Sequence, residues 1–351
     1  MKSSKSLGFK ILKSFCLTLS FALIYAFSFG QPIVEIIDAT GDGMGNPLST
    51  SFGLALDGVG NVYVVGLNSD NAFKVTPDGV ITEIIDATGD GVGNGFGMPR
   101  GIYADPAGNV WITSAATNKV FKITPGGVIS VVLDSGLNNP FRIIGDNAGN
   151  IYVTSFTNAR VYKVTPGGVV TQLINNSGDG MGNNLIGATG IDVDATGNVY
   201  VTGQGSDNAF KITPGGMITE IIDASGDGMG NPLDQPQSVR ASPTGDVYVS
   251  GFSSDNAFRI APDGTITEMI EGSGDGMGNT LNGAAELHID PTGDVYLGGS
   301  LSANVFLIKG GGTAIFQLID ASGDGMGNSL ITTRGLVTDP FGKPICSRLP
   351  K

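Results

Sequence analysis

Gly60-Asn61-Val62-Tyr63 joins a turn dipeptide to the start of an alternating apolar run, and it does not occur once. It returns as Gly108-Asn109-Val110-Trp111, Gly149-Asn150-Ile151-Tyr152, Gly197-Asn198-Val199-Tyr200, Gly245-Asp246-Val247-Tyr248 and Gly293-Asp294-Val295-Tyr296. The spacings are 48, 41, 48, 48 and 48. A fixed period of this size marks a repeat architecture, and the residues inside each period decide which kind. In the first copy, alternating runs at 54–57, 62–65, 72–76 and 80–85 are separated by Asp57-Gly58-Val59-Gly60, Ser69-Asp70-Asn71 and Pro77-Asp78-Gly79. Gly supplies positive φ, Asn and Asp tolerate it and bond locally, and Pro opens a turn before Asp-Gly. Each period therefore reads as four short strands, and the period-two alternation excludes a helical repeat of similar length.

Four antiparallel strands repeated at this length predict an all-β chain, a β-propeller of four-stranded blades. Two fragments are left over: Ile33-Val34-Glu35-Ile36-Ile37-Asp38 at the start and Gly335-Leu336-Val337-Thr338-Asp339 at the end. Pairing them gives six complete blades plus a composite seventh closed by both termini, a device that removes exposed sheet edges. A six-bladed ring is the alternative.

Composition agrees. The chain has 351 residues, 56 of them Gly, about twice the usual share of roughly 7%. Only 15% are charged, which excludes a long-helix or disordered chain. The formal charge of -13 argues against nucleic acid and anionic membrane as partners. Lys2, Lys5, Lys10 and Lys13 precede an apolar run over 15–29 ending in Ser28-Phe29-Gly30, the pattern of a signal peptide cut before Gln31. About fifteen apolar residues fall short of the roughly 20 that span a bilayer. The expected organisation is a signal peptide at 1–30 and one domain at 31–351, exported to a secreted, periplasmic or cell-surface location, with no membrane span once cut. Removal of four Lys and no acid takes the charge to -17. Cys346 is then the only cysteine, so no intramolecular disulfide forms.

The stretch Gly101-Ile102-Tyr103-Ala104-Asp105-Pro106-Ala107-Gly108-Asn109-Val110-Trp111, followed by Lys119-Val120-Phe121-Lys122-Ile123-Thr124-Pro125-Gly126-Gly127, resembles NHL repeats. It is also similar to the related streptogramin lyase and SMP-30/gluconolactonase-type (TolB-like) propellers. The resemblance covers essentially the whole of 31–351 and implies the fold; its members include binding modules, sensors, lactonases and lyases. The lactonase relatives imply an acidic and amide metal set beginning in the first inner strand, but Gly53-Leu54-Ala55-Leu56 has no Glu there. The lyase relatives imply a His and Glu pair that has no matching place in this sequence, and the two departures count against both activities.

Three sets of candidate residues follow. The first lies in the loop after each fourth strand, Asp38-Ala39-Thr40-Gly41-Asp42-Gly43-Met44-Gly45-Asn46, with copies at 86–94, 175–183, 223–231, 271–279 and 320–328. Oxygen side chains at its first, third, fifth and ninth positions with Gly at the sixth imitate the start of a calcium loop. The candidate ligands are Asp38, Asp42, Asn46, Asp86, Asp90, Asn94, Asp179, Asp223, Asp227, Asp275, Asp320 and Asp324. The twelfth position, where a calcium loop has Glu, holds Ser49, Gly97, Ile186, Asp234, Asn282 and Ile331. The competing reading, without a cofactor, is a set of self-bonded turns with Met44 and its counterparts packing down as a plug. One connection, Asp134-Ser135-Gly136-Leu137-Asn138-Asn139-Pro140, is seven residues shorter and predicts a notch. The second set is Asn71, Asn118, Asn158, Asn208, Asn256 and Asn304, placed together in the turn between second and third strands.

The third set comes from inner-strand positions where the copies differ. Two residues before the recurring Asp stand Ala55, Tyr103, Ile144, Asp192, Arg240, His288 and Val337; just before the strand stand Phe52, Arg100, Phe141, Thr189, Gln237, Ala285 and Arg334. Together with Arg142 and Glu286 these give a polar cluster at the central channel. The ligand-binding candidates are Arg100, Tyr103, Arg142, Asp192, Arg240, Glu286, His288 and Arg334. His288 is the only histidine, so a multi-histidine zinc site is excluded, and no Gly-Lys-Ser or Gly-Lys-Thr supports a phosphate loop. The sequence thus favours a monomeric, non-catalytic module binding an extracellular protein, peptide or glycan through its loop face and channel mouth. One alternative is a lyase-like or lactonase-like enzyme using His288, Glu286, Asp192 and Arg240. The other is a calcium-stabilised structural surface protein.

Overall fold

The computed structural model describes residues 35–323, 327–338 and 344–346. The expected signal segment at 1–30 and the loop residue Asp324 lie outside them. Blade one consists of β1 (Ser51–Leu56), β2 (Val62–Gly66), β3 (Asn71–Val75) and β4 (Ile81–Ile85), and blade two of β5 (Pro99–Ala104), β6 (Val110–Ser114), β7 (Lys119–Ile123) and β8 (Ile129–Leu133). Blade three is β9 (Pro140–Gly145), β10 (Ile151–Ser155), β11 (Arg160–Val164) and β12 (Val170–Ile174); blade four is β13 (Ala188–Val193), β14 (Val199–Gly203), β15 (Asn208–Ile212) and β16 (Ile218–Ile222). Blade five comprises β17 (Pro236–Ala241), β18 (Val247–Gly251), β19 (Asn256–Ile260) and β20 (Ile266–Ile270), and blade six β21 (Ala284–Ile289), β22 (Val295–Gly299), β23 (Asn304–Lys309) and β24 (Ala314–Ile319). Every blade is an antiparallel sheet in chain order, and the first strands meet one another around the axis.

Six four-stranded blades match the six-blade alternative. Between β21 and β1 lies a two-stranded sheet, β25 (Leu336–Thr338) with β26 (Pro344–Cys346), and β25 touches both neighbours. The composite seventh blade is not seen among the described residues: Ile33 and Val34 of the expected opening strand lie outside them, residues 35–38 hold no strand, and the partner that β25 takes comes from a segment the sequence reading left as a tail. Cys346 packs at the edge of the Tyr296, Leu307 and Leu336 cluster, and burial pushes its thiol up to about 11, which makes it unreactive at neutral pH.

The recurring motif has a physical reason. Asp57 takes the main-chain amides of Val59 and Asn61 on one oxygen, and the Asn61 side chain (2.6 Å) and the Tyr63 hydroxyl (3.0 Å) on the other. Asp146 with Asn150 and Tyr152, and Asp194 with Asn198 and Tyr200, repeat the pattern. Burial alone would raise these carboxyls; the converging donors outweigh it and hold them below the usual range. The core is repeated likewise, with Phe73, Phe121, Phe210, Phe258 and Phe306 fully buried at the centre of each third strand. Blade three has Tyr162 there, and its hydroxyl donates to the Gly136 carbonyl at 2.9 Å. The larger side chain thus fills the space left by the short connection, so the predicted notch is occupied from beneath.

Candidate functional site

Each inner strand of the six blades breaks register near its start: between Ser51 and Leu54 in β1, Pro99 and Ile102 in β5, Pro140 and Ile143 in β9, and at the equivalent place in β13, β17 and β21. A bulge unpairs one residue and re-aims its side chain. The variable residues Phe52, Arg100, Phe141, Thr189, Gln237 and Ala285 occupy these breaks, which is why this position varies without disturbing the ladder.

Around the axis the side chains form one connected group. Arg142 of β9 reaches Glu286 of β21 and pairs with its carboxylate, and Arg240 of β17 donates to the other oxygen at 3.0 Å. Blades three and six are not neighbours, so this bridge passes through the centre of the ring and the expected channel is spanned at this level. Glu286 is only 2% exposed. Beside it, Phe52 and Phe141 meet edge to face with centroids 5.8 Å apart. Arg142 lies over both rings, Arg100 over Phe141 at 5.0 Å, and Arg334 over Phe52 and Phe252, each at 5.9 Å. Burial and the nearby Arg334 lower the affinity of Arg100 for its proton; burial and the nearby Arg142 do the same to Arg334, against a weaker pull from Glu286.

The remaining candidates stand apart from this mouth. Tyr103 stacks on Trp111 with centroids 5.6 Å apart and presses on Gly145 of the next blade. Asp192 accepts the Ala241 amide at 2.7 Å, tying β13 to β17, and burial raises its carboxyl against the pull of Arg240. His288 exchanges a hydrogen bond with Thr338 of β25 at 2.8 Å. Burial first, and Arg240 second, pull its imidazole down to about 4 despite Asp290, so it is neutral at physiological pH. The sequence reading missed Phe252, whose only signal is that its place after the second strand holds residues as different as Leu67, Gln204 and Ser300 in other blades.

The long loops close on themselves. Asp38, Asp86, Asp223 and Asp320 each accept the amide two residues on at 2.8 Å. Asp42, Asp90, Asp179, Asp227 and Asp275 accept the amide two residues on at 2.8–3.1 Å and the Asn side chain four on at 2.6–2.8 Å. The Met44 amide, then Asn46, hold the Asp42 carboxyl below its ordinary range. Asn46 and Asn94 therefore present amide hydrogens, not oxygens, to the centre of their loops. The methionine plug is a misreading: Met44, Met181, Met229 and Met277 are 72–78% exposed at the loop tips, because the glycines flanking them turn the chain outward. Transfer from chelator to millimolar calcium at constant ionic strength should leave the thermal unfolding midpoint unchanged. A rise removed by Asp42→Ala and its equivalents would instead make these loops ion sites.

The asparagine ring is also corrected. Asn71, Asn208, Asn256 and Asn304 open third strands, and their side chains donate to carbonyls of the preceding loop at 2.9–3.0 Å. Asn118 and Asn158 fall one and two residues earlier, where Lys119 and Arg160 open the strand instead. Asn118 takes the positive-φ position held by Asp70 in blade one. Asn158 still donates to the Gly136 carbonyl of its preceding loop at 2.8 Å, whereas the Asn118 oxygen accepts the Asn139 amide, so the set is a scaffold staple that changes partner in blade two.

A scan of protein-family models and a search of curated proteins find no match to this chain. Solved structures do match. A streptogramin B lyase structure superposes with TM-score 0.69 at 15% identity, covering 86% of this chain and 91% of that one. The likeness is one of fold. A gluconolactonase from Xanthomonas campestris matches with TM-score 0.51 at 16% identity, over 72% of this chain and 84% of its own. A chain in a nidogen/laminin complex matches with TM-score 0.51 at 20% identity, over 64% and 80%. The β-propeller inferred from the repeat is thereby found among both enzymes and a protein–protein complex. No helix among the described residues is long and apolar enough to cross a membrane.

Proposed function

We propose that this protein is an exported, non-catalytic β-propeller that binds a ligand at the loop-face end of its axis. One observation carries the reading: the candidate acids and bases at the axis, Glu286, Asp192 and His288, are each engaged within the protein. Glu286 is held by two guanidiniums, Asp192 by the Ala241 main-chain amide, and the only imidazole by Thr338. A general base needs a free lone pair within hydrogen-bond reach of the proton it removes. The guanidinium and phenylalanine side chains at the mouth, by contrast, suit recognition without turnover. Export rests on the lysine-led apolar segment at 1–30.

Native mass spectrometry after incubation with a defined panel of sugar acids, neutral sugars, aromatic acids, lactones and cyclic depsipeptides tests this. Bound compounds should be released with unchanged mass, and His288→Ala should leave their binding intact. A product changed by hydrolysis or elimination, lost in His288→Ala, would make the protein an enzyme of the lyase or lactonase kind.

A further inference from the structure

Resting on that ligand-binding reading, we infer that the mouth is an oxyanion site, in which Arg100 and Arg334 are the primary donors to a carboxylate, phosphate or sulfate group and Arg142 borders them. Four arginines meet around the axis, and Glu286 already divides its two oxygens between Arg142 and Arg240. Among the described residues neither Arg100 nor Arg334 makes an ion pair or a side-chain hydrogen bond. The Arg100 Nε is buried with no partner at all. A buried donor left unpaired is costly, and like charges add repulsion to that cost, Arg334 acting on Arg100 and Arg142 acting on Arg334. Such an arrangement is retained in a fold when something absent from the chain supplies the acceptors. The guanidinium carbons lie over phenylalanine rings, a contact that uses a guanidinium's charge and leaves its N–H donors for the bidentate oxyanion geometry arginine favours.

The setting makes the charge purposeful. The whole chain carries -13, so its general field repels anions, and a local cationic cluster is the exception. In blades four to six the equivalent register-break positions hold the uncharged Thr189, Gln237 and Ala285, and Arg240 is already paired with Glu286. The anionic group is therefore expected toward blades one, two and three, with the rest of the ligand extending over blades four to six.

Isothermal titration of the protein with inorganic phosphate, sulfate, acetate and citrate at fixed ionic strength tests the site. The result expected is saturable binding of at least one anion, weakened about tenfold or more in Arg100→Gln and in Arg334→Gln. Without anion both variants should melt no lower than the parent, since each relieves repulsion. Comparison of phosphate and sulfate with acetate and citrate assigns the class of oxyanion. Anion binding that survives both substitutions would overturn the inference. So would failure of all four anions while a neutral sugar of the panel above binds, and then the ligand-binding reading would stand without this one. No binding of any anion or any panel compound would sink both.

Discussion

Replacing Glu286 with Ala should destabilise the protein by about 3–5 kcal/mol, the range seen when one partner of a buried ion pair is removed and the charges left behind have no compensation. Here two guanidiniums, Arg142 and Arg240, lose their shared carboxylate at the centre of the ring. Their like charges add to Arg334, which already suffers from Arg142. The denaturant midpoint of Glu286→Ala should fall well below that of Glu286→Gln, whose amide oxygen still accepts one guanidinium. Equal midpoints for the two variants would show that the bridge is worth little beyond its packing. Removing a carboxylate from the mouth should also raise anion affinity in the glutamine variant, which separates the electrostatic role of Glu286 from its structural one.

Phe210→Ala should cost about 3–5 kcal/mol, as expected for deletion of a fully buried aromatic side chain. The effect should not stay in the core. The glycine Gly178 of the preceding loop has φ of +59°, and a Cβ there would come within 1.7 Å of the Asn183 carbonyl and 3.1 Å of the Phe210 ring. The ring is thus the floor on which the turn rests. Hydrogen exchange at residues 175–183 should accelerate in Phe210→Ala, while the corresponding loop over Phe306 keeps its protection, because repeats couple chiefly to neighbours. Uniform acceleration in every loop would mean that the ring opens only as a whole.

The architecture was legible because it is written six times. Turn chemistry at Asp57-Gly58-Val59-Gly60 and alternation in the strands depend on local physics, and local physics repeats with the sequence. What escaped was set by non-local geometry. Methionine as the one large apolar residue of a polar loop reads as core, yet the glycines at 43 and 45 turn it outward, a fact of φ rather than of hydropathy. The pairing of Arg142 with Glu286 spans 144 residues and two non-adjacent blades, beyond any motif. The sequence reading put both beside the variable positions in one polar cluster, but not that Glu286 would be consumed by two arginines while two others went without. The strand Pro344–Cys346 is three residues long and breaks the four-strand rule, so the period could not announce it.

The register break at the head of each inner strand separates two jobs that most sheets force on the same residues. Elsewhere in a blade, a side chain that changes must still suit the strand beside it, and drift is penalised. At the break the backbone ladder does not fix the choice, so Phe52, Arg100, Phe141, Thr189, Gln237 and Ala285 differ while the ladders on either side stay alike. A ring copied by duplication begins with six identical sockets facing one point. Because each can be rewritten alone, such a scaffold can acquire a new binding specificity through single substitutions, without any step that passes through an unstable sheet.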